Sequence, residues 1–167
     1  IIASAPASPD IIFTQPSSCN ETAIINSGAC QAAKFKANST LNITDLDTFD
    51  NKIHYLVVAG GGGGGAARNG GGAAGGLRTS WGCGGTRGQI LNLANGPYSI
   101  TIGAGGSSNG SGNNTSFSTI VSTAGGGAEA TGGSGGGDSS SGNNRAGNKG
   151  DFMAPEGNPG GAGHSFS

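Results

Sequence analysis

The sequence is poor in charge and in chemically reactive side chains. Of its 167 residues, 10% are charged and 5% are aromatic, and it has two histidines. The net charge of −1 and the lack of a basic stretch argue against nucleic acid as a partner. No apolar run approaches the roughly 20 residues that a membrane-spanning helix needs. We therefore expect a protein with no nucleic-acid partner and no transmembrane segment.

Motifs for cofactor binding and catalysis are also weak or missing. A GxGxxG string occurs within Gly60–Gly65, but the residues that follow are AARNGGGAAGG. Each Gly costs a helix about 1 kcal/mol relative to Ala, so the helix on which a pyrophosphate rests is not expected there. The cysteines and histidines are too scattered for a zinc site or a nucleophile pair. We expect no enzyme activity, no catalytic residue, no cofactor and no metal.

Glycine dominates what is present. There are 37 glycines, and all except Gly28 lie after Ala59. This change in composition, together with the alternating pattern that begins at Phe35, predicts two parts. Residues 1–34 are expected to be an extended linker containing Pro and Ser, or a short segment closed by a disulfide. Residues 35–167 are expected to be a glycine-rich domain of β and polyglycine II type.

The first part contains two of the three cysteines. A disulfide between Cys19 and Cys30 would close a short loop and contribute on the order of 2–3 kcal/mol in an oxidising compartment. The alternative is a pair of free thiols in a reducing one. Cys83 would then be a buried small residue or an intermolecular link. Asn-x-Ser/Thr sequences make Asn20, Asn38 and Asn42 candidate glycosylation sites if the protein is secreted.

A strand followed by glycines occurs three times in the second part. The β-forming stretches of residues 51–58, 98–102 and 117–123 each lead directly into a glycine run. Residues 39–44 alternate as a half-buried strand does, and we expect them to pair with residues 51–58 or to lie beside them. Another short strand is expected near Ile90–Leu93, whereas residues 29–34 permit a helical turn.

The glycine runs themselves have two interpretations. Glycine at this density is typical of a flexible, disordered chain, because ordering it costs much backbone entropy. However, a disordered linker does not need β-formers before each run. The fold class that we predict is mostly β with irregular glycine-rich structure and essentially no α-helix. Short β-strands would anchor a bundle or sandwich of polyglycine II-type helices, with bare runs such as Gly60–Gly65 inside and runs spaced by Ala, Ser or Asn outside.

The order IHYLVVAGGGGGG, YSITIGAGG, FSTIVSTAGGG over residues 35–137 resembles the glycine-rich domain of phage tail fibres and microbial surface adhesins. The resemblance implies a non-enzymatic, extracellular module of a fibre or surface appendage that mediates attachment. Its partners would be other copies of itself, neighbouring fibre subunits, or a cell-surface receptor or glycan. The same resemblance also fits the receptor-binding tip of a phage tail fibre.

Residues 78–87, RTSWGCGGTR, are the candidate binding loop. Arg78, Trp81 and Arg87 combine the chain's one Trp with two guanidinium groups, as binding hot spots often do. The alternative is that Trp81 covers the end of the glycine bundle as a hydrophobic lid. A second function is also open, in which residues 1–15 add as a strand to a neighbouring copy and build an extracellular filament. Ice binding is disfavoured, because a strict Gly-every-third repeat occurs only at Gly157, Gly160 and Gly163.

Overall fold

The computed structural model describes residues 2–6, 23–27, 30–43, 52–66, 70–81, 90–139, 142–152 and 155–164. These ranges contain ten β-strands and no α-helix. In chain order the strands are β1 (Ile2–Pro6), β2 (Ala23–Ser27), β3 (Cys30–Lys34), β4 (Ser39–Ile43), β5 (Lys52–Val58), β6 (Leu77–Thr79), β7 (Leu91–Asn92), β8 (Gly96–Thr101), β9 (Thr115–Phe117) and β10 (Ile120–Ser122).

The strands form two antiparallel sheets. The first has the order β2-β3-β1-β5-β6, with β7 paired to the beginning of β5, and the second has the order β10-β9-β8-β4. In the first sheet β1 is paired on both sides, with β3 and with β5. This strand therefore joins the β2–β3 hairpin to the rest of the sheet.

The hydrophobic core contains side chains from both sheets. Along β5 the side chains of Ile53, Tyr55 and Val57 are buried, whereas Val58 is exposed, which is the period of two that a half-buried strand requires. Phe35, next to the end of β3, and Leu93 complete the core at its margins. The second sheet contributes a matching buried set, namely Leu41, Ile43, Ile100, Phe117 and Ile120.

Three glycine hairpins extend the strand pairs. The first (59–76) continues β5 and β6 in the same register, since Val58 pairs with Leu77 and the Ala59 N–H then donates to the Gly76 carbonyl. The second (102–114) continues β8 and β9, and the third (123–133) follows β10. The strands thus fix where each glycine segment begins and which segment it faces.

The hydrogen-bond repeat changes from two residues to three where the glycines begin. In the first hairpin the N–H groups of residues 59, 62 and 65 donate to the carbonyls of residues 76, 73 and 70, at 3.0, 2.8 and 2.9 Å. In the second hairpin the N–H groups of residues 113 and 110 donate to the carbonyls of residues 104 and 107, again three residues apart. A β-ladder repeats every two residues, whereas a polyglycine II-type segment has three residues per turn. The assignment of such helices stays a prediction.

The glycine segments together form what we call the glycine block: the three glycine hairpins and residues 134–138, 142–149 and 155–163. One of its segments, residues 59–66, is hydrogen-bonded to four others: residues 70–76, 102–109, 110–114 and 123–130. A Cβ at Gly62 would overlap the Gly126 carbonyl, and one at Gly63 would overlap the Ser107 carbonyl. Neighbouring backbones therefore occupy the space of missing side chains at these positions. The bare run is nevertheless only half-buried and Gly64 is exposed, whereas the glycines at 125–127, 132, 133, 135 and 136 are buried. The interior position of the bare run therefore stays a prediction.

The segment of residues 157–163 packs on the block with one side and is exposed on the other. A Cβ at Gly157 or Gly160 would overlap the backbone of residues 133 and 136. Gly161, by contrast, has no atom within 4 Å of a Cβ, and the two residues between successive triplet glycines are exposed. Gly157 and Gly160 thus face the block, and the exposed residues between them lie on its outside. The run at 132–138, which is spaced by Ser134, is by contrast largely buried, so the predicted rule that spaced runs lie outside does not hold throughout.

The predicted fold class is confirmed: the described chain is rich in β-structure and contains no helix. The strands expected within residues 39–44, 51–58 and 98–102, and the short strand near residue 91, are present. Within the described ranges no helix is long and apolar enough to cross a membrane. The boundary between residues 34 and 35 stays a prediction.

Three local predictions were wrong. Strands β4 and β5 are not partners: β4 pairs with β8 in the other sheet, because Leu41 and Ile43 cover the opposite side of the core. Residues 117–123 do not form one strand but belong to the β9–β10 hairpin, which turns at Ser118 and Thr119. Residues 30–34 form strand β3 rather than a helical turn, because β1 and β2 pair with them on both sides.

Candidate binding surface

The outward face of β5 and β6 carries exposed apolar side chains. Val58 and Leu77 are direct partners across the two strands, and 47% and 42% of their surfaces are exposed. Trp81, two residues beyond the end of β6, is 67% exposed. Side chains alternate along a strand, and those of Tyr55 and Val57 are buried. The residues next to them in β5 therefore have their side chains on the outer side.

Trp81 is held at its backbone while its ring remains accessible. Its N–H donates to the Thr79 hydroxyl at 3.0 Å, and its indole packs against the His54 ring with 5.7 Å between centroids and a 55° tilt. The Ser80 hydroxyl holds the His54 ring in place, because it lies 3.2 Å from His54 Nδ1 and accepts the Tyr55 N–H at 2.9 Å. We call Val58, Leu77, Trp81 and His54 the Trp81 face.

Arg78 belongs to the other side of the same strand. It pairs with Val57, whose side chain is buried, and its guanidinium lies 3.9 Å from the centroid of the Phe152 ring. One of its nitrogens also donates to the Val121 carbonyl at 3.2 Å. Burial raises the pKa of Tyr55 above its usual value, and the charge of Arg78 opposes part of that rise. Arg78 therefore ties the two sheets together at the margin of the core.

The three residues of the predicted binding loop are thus not shown as one cluster. Trp81 contacts His54 on the outer face, whereas Arg78 contacts Phe152 and Val121 on the inner side. Arg87 lies outside the described residues. Trp81 stays the candidate contact residue, with Val58 and Leu77 farther along the same outer side in place of the two arginines.

The other predicted sites stay predictions. Cys30 is the first residue of β3, opposite Pro6 and Ser27, while Cys19, Cys83 and Asn20 lie outside the described residues. Asn38 is exposed, and its side-chain oxygen accepts the Ile102 N–H at 2.8 Å. Asn42 lies in β4 opposite Pro97.

Glu156 is a structurally central residue that the sequence did not indicate. It is 4% exposed, and its carboxylate accepts the Thr123 N–H at 3.0 Å. The same oxygen lies 3.3 Å from the Ser122 hydroxyl, which donates to the Gly76 carbonyl at 2.6 Å. The backbone carbonyl of Glu156 accepts the Leu77 N–H at 2.8 Å, which covers part of the edge of β6. A single Glu in a glycine-rich stretch has no local signature, so no sequence pattern could have identified this contact.

A comparison with known protein families identifies one family that matches the glycine-rich part of the chain. The profile of the glycine-rich domain family matches residues 37–166, which include β4 to β10 and the entire glycine block. The chain belongs to this family. No curated protein and no solved structure matches this glycine-rich domain protein.

Proposed function

We propose that this glycine-rich domain is a non-enzymatic structural module of an extracellular fibre or surface appendage that mediates attachment through the Trp81 face. The observation that carries the proposal is the combination of a hydrogen-bonded glycine block with one accessible aromatic anchor. Trp81 is 67% exposed, yet its backbone and one ring edge are held by Thr79 and His54. Pre-positioned aromatic side chains supply contact area at low entropic cost.

The alternative role of Trp81 as a lid fits its surroundings less well. A lid would be mostly buried against glycine backbone, whereas the ring contact of Trp81 is with His54. Val58 and Leu77 lie on the same outer side of β5 and β6, four residues along each strand from His54 and Trp81, and add exposed apolar area to that side. Exposed apolar area on one side of a protein is a feature of interaction sites. The partner would be a receptor or glycan on a cell surface.

Replacement of Trp81 tests the proposal. Trp81→Ala should lower attachment of the purified protein to target cells or to a glycan array at least about tenfold, as the loss of a hot-spot side chain does. The matched control is Val121→Ala, because Val121 is an exposed apolar residue on β10 in the other sheet. Unchanged attachment by Trp81→Ala, or an equal loss by the control, would contradict the proposal. Thermal unfolding of both variants would show whether a loss reflects unfolding.

A second candidate function is a self-assembling filament subunit. The position of β1 favours it, since this strand lies between β3 and β5 and makes ladders with both. Residues 7–22 separate β1 from β2, and a chain of that length spans up to roughly 50 Å when extended. A β1 strand from another copy would find the same two partners, as in strand exchange.

Deletion of residues 1–15 distinguishes this candidate. A filament built by strand donation should fail to form from the deleted protein, and a peptide of residues 1–15 should shorten filaments of the full chain. Electron microscopy would measure their lengths. Polymers of unchanged length after the deletion would rule out strand donation, whereas attachment through Trp81 would be unaffected by that result.

A further inference from the structure

The outer segment 157–163 leaves part of its backbone without partners. On its inner side, the carbonyls of Asn158 and Gly161 accept the N–H groups of Gly135 and Asp138, at 2.9 and 3.0 Å. The Gly160 N–H donates to the Arg145 carbonyl at 2.8 Å, which attaches the segment to residues 142–147. Within the described part of the chain, the Ala162 N–H and the carbonyls of Pro159 and Ala162 have no partner.

The exposed residues of this segment are short and uncharged. They are Asn158, Pro159, Gly161 and Ala162, and a Cβ at Gly161 would meet open space. Proteins normally protect an open hydrogen-bonding edge with charged side chains that keep other chains away. Here Pro159 removes one donor, but no charge protects the remaining groups. The net charge of −1 adds little repulsion between copies.

We propose that the outer segment 157–163 is a lateral docking surface for a second copy of this chain, whose own outer segment extends the glycine block. Inside the molecule, bare segments already pair in this manner. In the first glycine hairpin, antiparallel segments are joined through every third residue. A second copy is a partner that carries the same spacing of donors and acceptors.

The unpartnered backbone groups of two copies can form hydrogen bonds with each other. In an antiparallel arrangement about a twofold axis, the Ala162 N–H of each copy donates to the Pro159 carbonyl of the other. Such an interface is self-complementary, as twofold interfaces are. Residues 143, 144 and 146 of the adjoining segment are also exposed and enlarge the surface. Because few hydrogen bonds are involved and each contributes about 0.5–1.5 kcal/mol, the association is weak for isolated molecules.

Sedimentation velocity over a wide concentration range tests this docking. The wild-type protein should form dimers as its concentration rises. Gly161→Glu should raise the dimer dissociation constant at least about tenfold, because it places like charges opposite each other. Ala162→Glu should do the same at a position that already carries a side chain. The matched control is Gly105→Glu, since a Cβ at Gly105 has only the Gly61 carbonyl oxygen nearby, at 3.7 Å, on a different outer segment.

Each outcome bears on the proposal. Loss of dimers in the variants at residues 161 and 162, with dimers kept in the control and equal thermal midpoints, would support it. A wild-type protein that stays monomeric throughout would overturn it, as would dimers that all three variants leave unchanged. Loss of dimers in the Gly105 variant alone would show that the interface includes Gly105. That result would also contradict docking through residues 157–163.

This docking is separate from attachment and from strand donation. Trp81→Ala should leave the dimer intact, because the Trp81 face lies on β5 and β6. Deletion of residues 1–15 should also leave it intact, since no residue of that segment takes part. If attachment fails while dimers persist, the proposed function is wrong and the lateral interface stands.

Discussion

At the scale of single residues, the glycines of one run are not equivalent. Gly62 and Gly63 face neighbouring carbonyls, whereas a Cβ at Gly64 would lie 3.7 Å from its nearest atom, the Gly72 nitrogen. Composition alone marks all three as the same. Their difference follows from the threefold spacing of contacts, in which successive residues of a segment face different neighbours.

Gly63→Ala and Gly64→Ala form a matched pair that tests this difference. At Gly63 the new methyl group would collide with the Ser107 carbonyl, so we expect a loss of about 1–3 kcal/mol in the free energy of unfolding. At Gly64 the methyl group fits, and the stiffer unfolded chain should make the change neutral or stabilising by up to about 1 kcal/mol. Urea unfolding measures both. Equal effects at the two positions would contradict the close approach described for Gly63.

Glu156 is a second residue whose role can be measured. Glu156→Ala leaves the Thr123 N–H without its acceptor and should cost about 1–3 kcal/mol of stability. Glu156→Gln keeps an oxygen in place and should cost clearly less. Thermal unfolding of the two variants checks this order. A glutamine variant as unstable as the alanine variant would show that the negative charge, rather than the acceptor geometry, is what the fold needs.

At the scale of elements, the β9–β10 hairpin carries a local conformational cost. Ser118 has a φ of 54° at the first loop position, between the paired residues Phe117 and Ile120. Two-residue hairpins with a positive φ at that position favour glycine, because its missing Cβ removes the steric clash. Yet this position has a serine in a chain with 37 glycines.

Ser118→Gly should therefore stabilise the protein, by about 1 kcal/mol, since an L-residue pays roughly that amount in the left-handed region. The Ser118 N–H bond to the Ser99 carbonyl, at 3.0 Å, is kept in the variant. Thr119→Gly is the control, because Thr119 is not among the described residues with positive φ, and it should not stabilise. A destabilised Ser118→Gly protein would show that the hydroxyl group outweighs the backbone cost.

Much of the element pattern could be predicted from sequence, but the pairing of elements could not. Alternating apolar residues identified β4 and β5, because half-burial imposes a period of two. Their partners depend on contacts distant in sequence: β4 pairs with β8, more than fifty residues away, and β5 pairs with β1 and β6. The β9–β10 turn was missed because Ser118 and Thr119 are not the residues that usually mark a hairpin loop.

The candidate site was predictable to a similar degree. The single exposed Trp81 was identified from its rarity, and its exposure agrees with a contact residue. The sequence also placed Arg78 beside it, whereas the structure has Arg78 on the opposite side of the strand. Neighbours along a strand point to opposite faces, and only the pairing of Arg78 with the buried Val57 reveals which face it takes.

At the scale of the whole molecule, we expect the glycine block to be a rigid, hydrogen-bonded structure rather than a flexible chain. Gly62 and Gly63 donate their N–H groups to carbonyls at 2.8 Å, whereas Gly61 and Gly64 serve as acceptors, and their own N–H groups have no acceptor within the described part of the chain. Amide hydrogen exchange at these residues should therefore alternate with a period of three.

Exchange measured by NMR should be at least about a hundredfold slower at Gly62 and Gly63 than at Gly61 and Gly64, since exchange of bonded amides requires opening of the structure. A peptide of residues 59–76 provides the control and should exchange rapidly throughout. Uniform, peptide-like rates in the intact protein would mean that no glycine block exists. Uniformly slow rates would instead point to a β-ladder or to additional partners for Gly61 and Gly64.

The register of the glycine hairpins limits how their lengths can vary. Contacts recur every third residue on both arms, as between residues 62 and 73 and between residues 65 and 70. Lengthening a hairpin without disturbing its neighbours therefore requires a multiple of three residues added to each arm. One extra glycine in one arm would rotate every later residue toward the wrong neighbour. The glycine hairpins of homologous chains should thus differ in length by multiples of six residues. The distance to which a hairpin extends would therefore change in steps rather than continuously.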